Sequence, residues 1–150
     1  MKSIISKTMS LVAISAALFA FSPNLGGEGF EIYLNNKVMI QKFGSEINSV
    51  ESLHLDQSLS AAQITIKYHH CGKVGKNRII TIKDGQNKIL KEFRYTDATT
   101  PVAAMSFNVK DILNLKTGNG TLKLFYMSSE LAQERLLTTI RTSNGNTTIP

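Results

Sequence analysis

The chain has 150 residues, of which 42% are hydrophobic, 7% aromatic and 19% charged, a balance that excludes a disordered tail protein and limits the chain to one domain. Seventeen Lys and Arg against eleven Asp and Glu give a formal charge of +6. One cysteine excludes an intrachain disulfide.

Met1 to Ser10 carries Lys2 and Lys7 and no acid, and the uncharged apolar run Leu11–Phe21 follows, ended by Pro23, Asn24, Gly26 and Gly27. A basic start, a short apolar stretch and a polar exit describe a secretory signal peptide over residues 1–22. The run falls short of the roughly 20 apolar residues that a membrane-spanning helix needs, so no permanent span is expected after cleavage. The expected location is the exterior or the periplasm.

Beyond the leader, apolar and polar residues alternate in short runs, which is the pattern of strands. Phe30–Leu34 and Val38–Gln41 flank Asn35-Asn36-Lys37 and predict a hairpin. Ser52–Leu55 and Gln63–Tyr68 alternate. Arg78–Lys83 and Lys88–Tyr95 bracket Asp84-Gly85-Gln86-Asn87, where the Asp-Gly pair predicts a tight turn with a positive φ at glycine. Ala104–Val109 reads as a strand, Lys110–Leu115 as one helical turn, Thr121–Met127 as a strand with Leu122, Leu124 and Tyr126 on one side, and Arg135–Thr142 as the closing strand. Eight or nine strands with mostly antiparallel links predict an all-β, two-sheet sandwich over residues 28–142, immunoglobulin-like or jelly-roll. Residues 143–150 form a polar tail. Asn146-Thr147-Thr148 within it has glycosylation spacing, which matters only in a eukaryotic host.

The least generic stretch is Tyr68-His69-His70-Cys71-Gly72-Lys73-Val74-Gly75-Lys76-Asn77-Arg78. Its two glycines are two residues apart where a phosphate-binding loop needs four, and Asn77 stands where that loop has Ser or Thr. A turn between strands is the better reading. If the preceding strand extends to Cys71, His69 and Cys71 share one face and Ile64, Ile66, Tyr68 and His70 the other. His69 and Cys71 then offer two ligands to Zn²⁺ or copper, fewer than a site needs. His54 lies roughly 15–17 Å from His69 if the strand at Ser52–Leu55 forms a hairpin with the one at Gln63–Tyr68. Cys71 with a histidine base is a second possibility, without a third group to orient it. Against both stands a plain structural reading: Cys71 packed as a small hydrophobe, His70 on the apolar face, His69 exposed. Common catalytic signatures are missing from the sequence: it has no Gly-x-Ser-x-Gly, no His-Glu-x-x-His and no calcium loop, and Asp56, Glu92 and Asp97 are isolated acids. A non-enzymatic protein without a cofactor is therefore expected.

Positive charge is concentrated between Lys67 and Arg94, where eight cations face two acids. With Lys2 and Lys7 removed, the rest of the chain is net acidic. The window predicts a basic hairpin region that meets an anionic glycan or protein partner. Lys73, Lys76 and Arg78 are its candidate contacts, supplying charge-assisted hydrogen bonds to carboxylate or sulfate. The competing reading is a solvated face whose lysines protect strand edges. Few aromatics accompany the charge, so nucleic acid is not expected.

At Phe30-Glu31-Ile32-Tyr33-Leu34-Asn35 and at Tyr68-His69-His70-Cys71-Gly72-Lys73 the chain resembles small exported proteins of Bacteroidetes-type bacteria. The resemblance implies an envelope or extracellular location and carries no activity, ligand or site residue.

Overall fold

The computed structural model describes residues 27–115 and 120–143. The expected signal segment, 1–22, and the tail beyond Ser143, with its glycosylation triplet, lie outside the described residues.

Nine strands form among the described residues: β1 (Glu28–Leu34), β2 (Lys37–Phe43), β3 (Ser52–Asp56), β4 (Gln63–His70), β5 (Arg78–Lys83), β6 (Ile89–Tyr95), β7 (Met105–Asn108), β8 (Thr121–Met127) and β9 (Arg135–Ser143). One short helix, α1 (Val109–Leu113), follows β7. No helix among the described residues is long and apolar enough to cross a membrane.

The strands make two sheets, β2-β1-β4-β7 and β3-β9-β8-β5-β6, packed face to face as a β-sandwich. Alternation built them. On β4, Ile64, Ile66, Tyr68 and His70 point inward, and on β8, Leu122, Leu124 and Tyr126 do. Phe30 and Ile32 of β1, Ile80 and Ile82 of β5 and Ile140 of β9 complete the middle of the core, each fully buried. Burying one such side chain is worth about 1.5–3 kcal/mol, against about 0–1 kcal/mol for an exposed ion pair. The stacked sheets, not their surface charges, hold the molecule together.

The hairpins β5–β6 and β8–β9 both stay within the five-stranded sheet. β3 does not pair with β4, the pairing on which the distance from His54 to His69 was reckoned. It joins the opposite sheet in parallel with β9, Leu53 beside Ile140. At the β5–β6 turn the positive φ falls on Asn87 rather than on Gly85. Asp84 makes this possible by accepting the N–H groups of Gln86 and Lys88, each at 2.9 Å.

Two outer strands each carry a lysine opposite a core residue: Lys42 of β2 faces Phe30, and Lys91 of β6 faces Ile82. Each is tied to an acid, Lys42 to Glu51 and Lys91 to Asp111. A charge turned inward at an outer strand discourages pairing with a second sheet.

Candidate functional site

The stretch around His70 forms one end of the sandwich. β4 stops at His70 because Cys71 and Gly72 both turn left-handed, with φ of +53° and +83°. The Lys73 N–H then donates back to the His70 carbonyl at 3.1 Å. From there to β5 the loop is held by two other segments, Asp97–Ala98 and Ser129–Glu130. The Gly75 carbonyl accepts from Ala98 N–H at 2.8 Å, and the Lys76 carbonyl from Ser129 N–H at 2.9 Å. Lys76 N–H donates to Glu130 at 2.9 Å and Asn77 N–H to Asp97 at 2.8 Å. Gly75 packs so closely that a Cβ there would stand 3.2 Å from both His70 Nε2 and the Tyr126 hydroxyl. A side chain there would make these neighbours give by a few tenths of an ångström.

Beneath the loop lies a polar cluster in the core. His70, 6% exposed, packs against the Tyr68 and Tyr126 rings, whose centroids lie 4.7 and 5.7 Å from its own and 4.5 Å from each other. Its Nε2 is 3.0 Å from the Tyr126 hydroxyl and 3.4 Å from Ser128 Oγ. Burial lowers the His70 pKa, assisted by the positive charge of Arg78 and opposed by Glu130 and Glu28, so the ring is neutral at pH 7. Burial raises the Tyr126 hydroxyl. Burial, and then its hydrogen bond to Glu28, raises Tyr68 strongly. Glu28 accepts from Tyr68 and from Arg135 Nη2, the latter at 3.0 Å, and so joins β1, β4 and β9. Glu130 is held below the usual carboxyl range even though burial pulls the other way, because Lys76 N–H and Ser128 bond its charged form. A cleft of about 310 Å³ opens above this cluster, bounded by His70, Cys71, Lys73, Leu131 and Arg135.

The sequence candidates do not meet in one place. Cys71 is exposed, not packed as a small hydrophobe, because the left-handed turn carries it out of the strand. The same turn breaks the alternation that would have set it beside His69. His69 is mostly covered on the outer face of the four-stranded sheet, its Nε2 3.5 Å from Glu31 and its ring 5.0 Å from that of Phe43. His54 is exposed on β3 in the other sheet. The three histidines thus stand apart in their surroundings, His69 and His54 on the outer faces of different sheets and His70 in the core. Among the described residues no three His, Cys, Asp or Glu side chains group to hold a metal ion.

The basic window divides in the same way. Arg78, expected at the binding surface, is 6% exposed and spends its guanidinium on the fold. Nε and Nη2 donate to the Thr96 carbonyl at 3.0 and 2.9 Å, and Nη1 to that of Ala103 at 2.9 Å. Lys83 is paired with Glu134, Lys91 with Asp111 and Arg94 with Glu92. Lys67 lies on the other sheet over the Tyr33 ring. The cations therefore do not form one ribbon. Lys73 and Lys76 stand at one end of β5 and Lys88 at the other, all exposed and without an ion pair among the described residues.

Sequence reading missed Tyr68, Tyr126, Glu28, Glu130 and Arg135. One signal was available: Tyr68 and Tyr126 fall on core-facing positions of alternating strands, and a buried tyrosine hydroxyl requires a partner. Compared with known proteins, the chain matches no family model and no curated protein.

Proposed function

We propose that the chain is an exported, non-enzymatic binding protein that recognises an anionic group, a carboxylate or sulfate on an acidic glycan or a protein, through Lys73 and Lys76. One observation carries the reading. The β4–β5 loop is pinned by hydrogen bonds from two other segments, Asp97–Ala98 and Ser129–Glu130, yet both of its lysines are exposed and unpaired among the described residues. Ordering the stems in advance reduces the entropy lost when a ligand binds. Export is supported by the basic and apolar pattern of residues 1–22 and by the resemblance to exported proteins. The alternative, a metal or redox centre at His69 and Cys71, gains no support, because the left-handed turn at Cys71 breaks the alternation that would set it beside His69 and, among the described residues, no third ligand joins them.

Charge reversal tests the reading. Lys73→Glu with Lys76→Glu is expected to abolish retention on a dextran-sulfate column at low salt. Lys37→Glu with Lys88→Glu, the same change in net charge at the opposite end, is expected to retain most of it. Equal loss in both pairs would contradict the assignment.

A further inference from the structure

We infer that the cleft above His70 takes a small zwitterion, an α-amino acid with an apolar side chain, its carboxylate on Lys73 and its ammonium on Glu130. This goes beyond the polyanion reading and shares only Lys73 with it, since Lys76 does not line the cleft. Four charged side chains do line it, Glu28, Lys73, Glu130 and Arg135, and they fall into two kinds. Glu28 and Arg135 are engaged with each other at 3.0 Å, and each has a further partner, the Tyr68 hydroxyl for Glu28 and Asn48 for Arg135. Lys73 and Glu130 have no ion pair among the described residues, either with each other or elsewhere. Each is tethered on its own side: Lys73 N–H donates to the His70 carbonyl at 3.1 Å, and Glu130 Oε2 accepts Lys76 N–H at 2.9 Å. The chain thus holds a positive and a negative group on one cleft without joining them.

A simple anion in the cleft would meet Lys73 but also the carboxylates of Glu28 and Glu130. A simple cation would meet Glu130 but also Lys73 and Arg135. A molecule with both charges complements the two open groups together and leaves the Glu28–Arg135 pair intact. Leu131 and Ala132 supply the apolar part of the lining, against which an apolar side chain can rest. The volume, about 310 Å³, is at the small end of the roughly 300–1,000 Å³ of ligand clefts, which suits a single small molecule.

Titration of ¹⁵N-labelled protein with L-leucine, L-valine, L-methionine and L-phenylalanine tests this. At least one is expected to shift the amides of residues 71–73 and 130–132 saturably. For the tightest of them, the analogue without the amino group and the analogue without the carboxyl group are each expected to bind roughly tenfold more weakly or worse, the worth of one charge-assisted hydrogen bond. Glu130→Gln keeps an acceptor for Lys76 N–H and removes only the charge. It is expected to weaken the amino acid by a similar factor and to leave the analogue without the amino group no weaker. No saturable shift with any of these amino acids, single-charge analogues that bind as tightly as the amino acid, or unchanged affinity in the Glu130 variant would overturn the inference. If no amino acid binds while dextran-sulfate retention still requires Lys73 and Lys76, the cleft assignment falls and the polyanion reading stands. If an amino acid binds while retention is insensitive to both lysines, the reverse holds.

Discussion

The loop from Cys71 to Asn77 and the hairpin β5–β6 are neighbours in sequence and both net basic, yet they deploy their charge in opposite ways. In the hairpin, Lys83, Lys91 and Arg94 each face an acid, and Lys83 and Lys91 also lie over the Phe125 and Phe93 rings. Most of that charge is neutralised locally. In the loop, the acids serve the backbone instead: Glu130 holds Lys76 N–H and Asp97 holds Asn77 N–H. The lysine side chains are left for solvent or a partner. Net charge along a sequence window therefore says little about a binding surface. What matters is whether each acid is spent on a cation or on an amide.

The sharpest way to break this comparison is to remove the support behind the loop. Arg78 fastens the Thr96 and Ala103 carbonyls, which bracket the segment whose Asp97 and Ala98 hold the loop. Arg78→Met leaves two part-buried carbonyls without their donors and is expected to destabilise the protein by roughly 2–4 kcal/mol in urea unfolding, toward the lower end of about 1–3 kcal/mol for each unsatisfied group because neither carbonyl is fully buried. A smaller effect is expected from Gly75→Ala, which forces a methyl against His70 and Tyr126. Overpacking of that kind costs about 1–3 kcal/mol, and dextran-sulfate retention should weaken as the loop shifts.

The mildest effect is a pH dependence. The His70 pKa is lower in the folded chain than the 6.5 of a free histidine, chiefly by burial. Its contribution to stability is therefore complete above about pH 6.5 and is lost as pH falls through the folded value, because the unfolded chain binds the proton first. The thermal midpoint of the parent should drop between pH 7.5 and pH 5 by more than that of His70→Gln. Equal drops would show that the ring does not report on this end of the sandwich.

Much of the fold was legible because alternation is local. The inward faces of β4 and β8 can be counted off the chain, and the β5–β6 hairpin announces itself at Asp84-Gly85. Choice of partner is not local. Nothing near Ser52–Asp56 says that this strand will lie parallel to β9, more than 80 residues later in its register with Thr139. The candidate site was legible only in part, for the same reason. The glycines and lysines of residues 72–76 marked a loop. Whether Arg78 would face water or the Thr96 carbonyl, and whether Lys83 would find Glu134, depended on contacts between distant segments. Cys71 was misread because the alternation was carried one residue past the point where the backbone turns left-handed.

The comparison is tested most directly by titrating ¹⁵N-labelled protein with a short dextran-sulfate oligosaccharide and following the backbone amides by NMR. The account predicts saturable shifts concentrated in residues 72–77, with the amides of 83–94 nearly still. Shifts centred on Lys83, Lys91 and Arg94, with the loop unmoved, would contradict it.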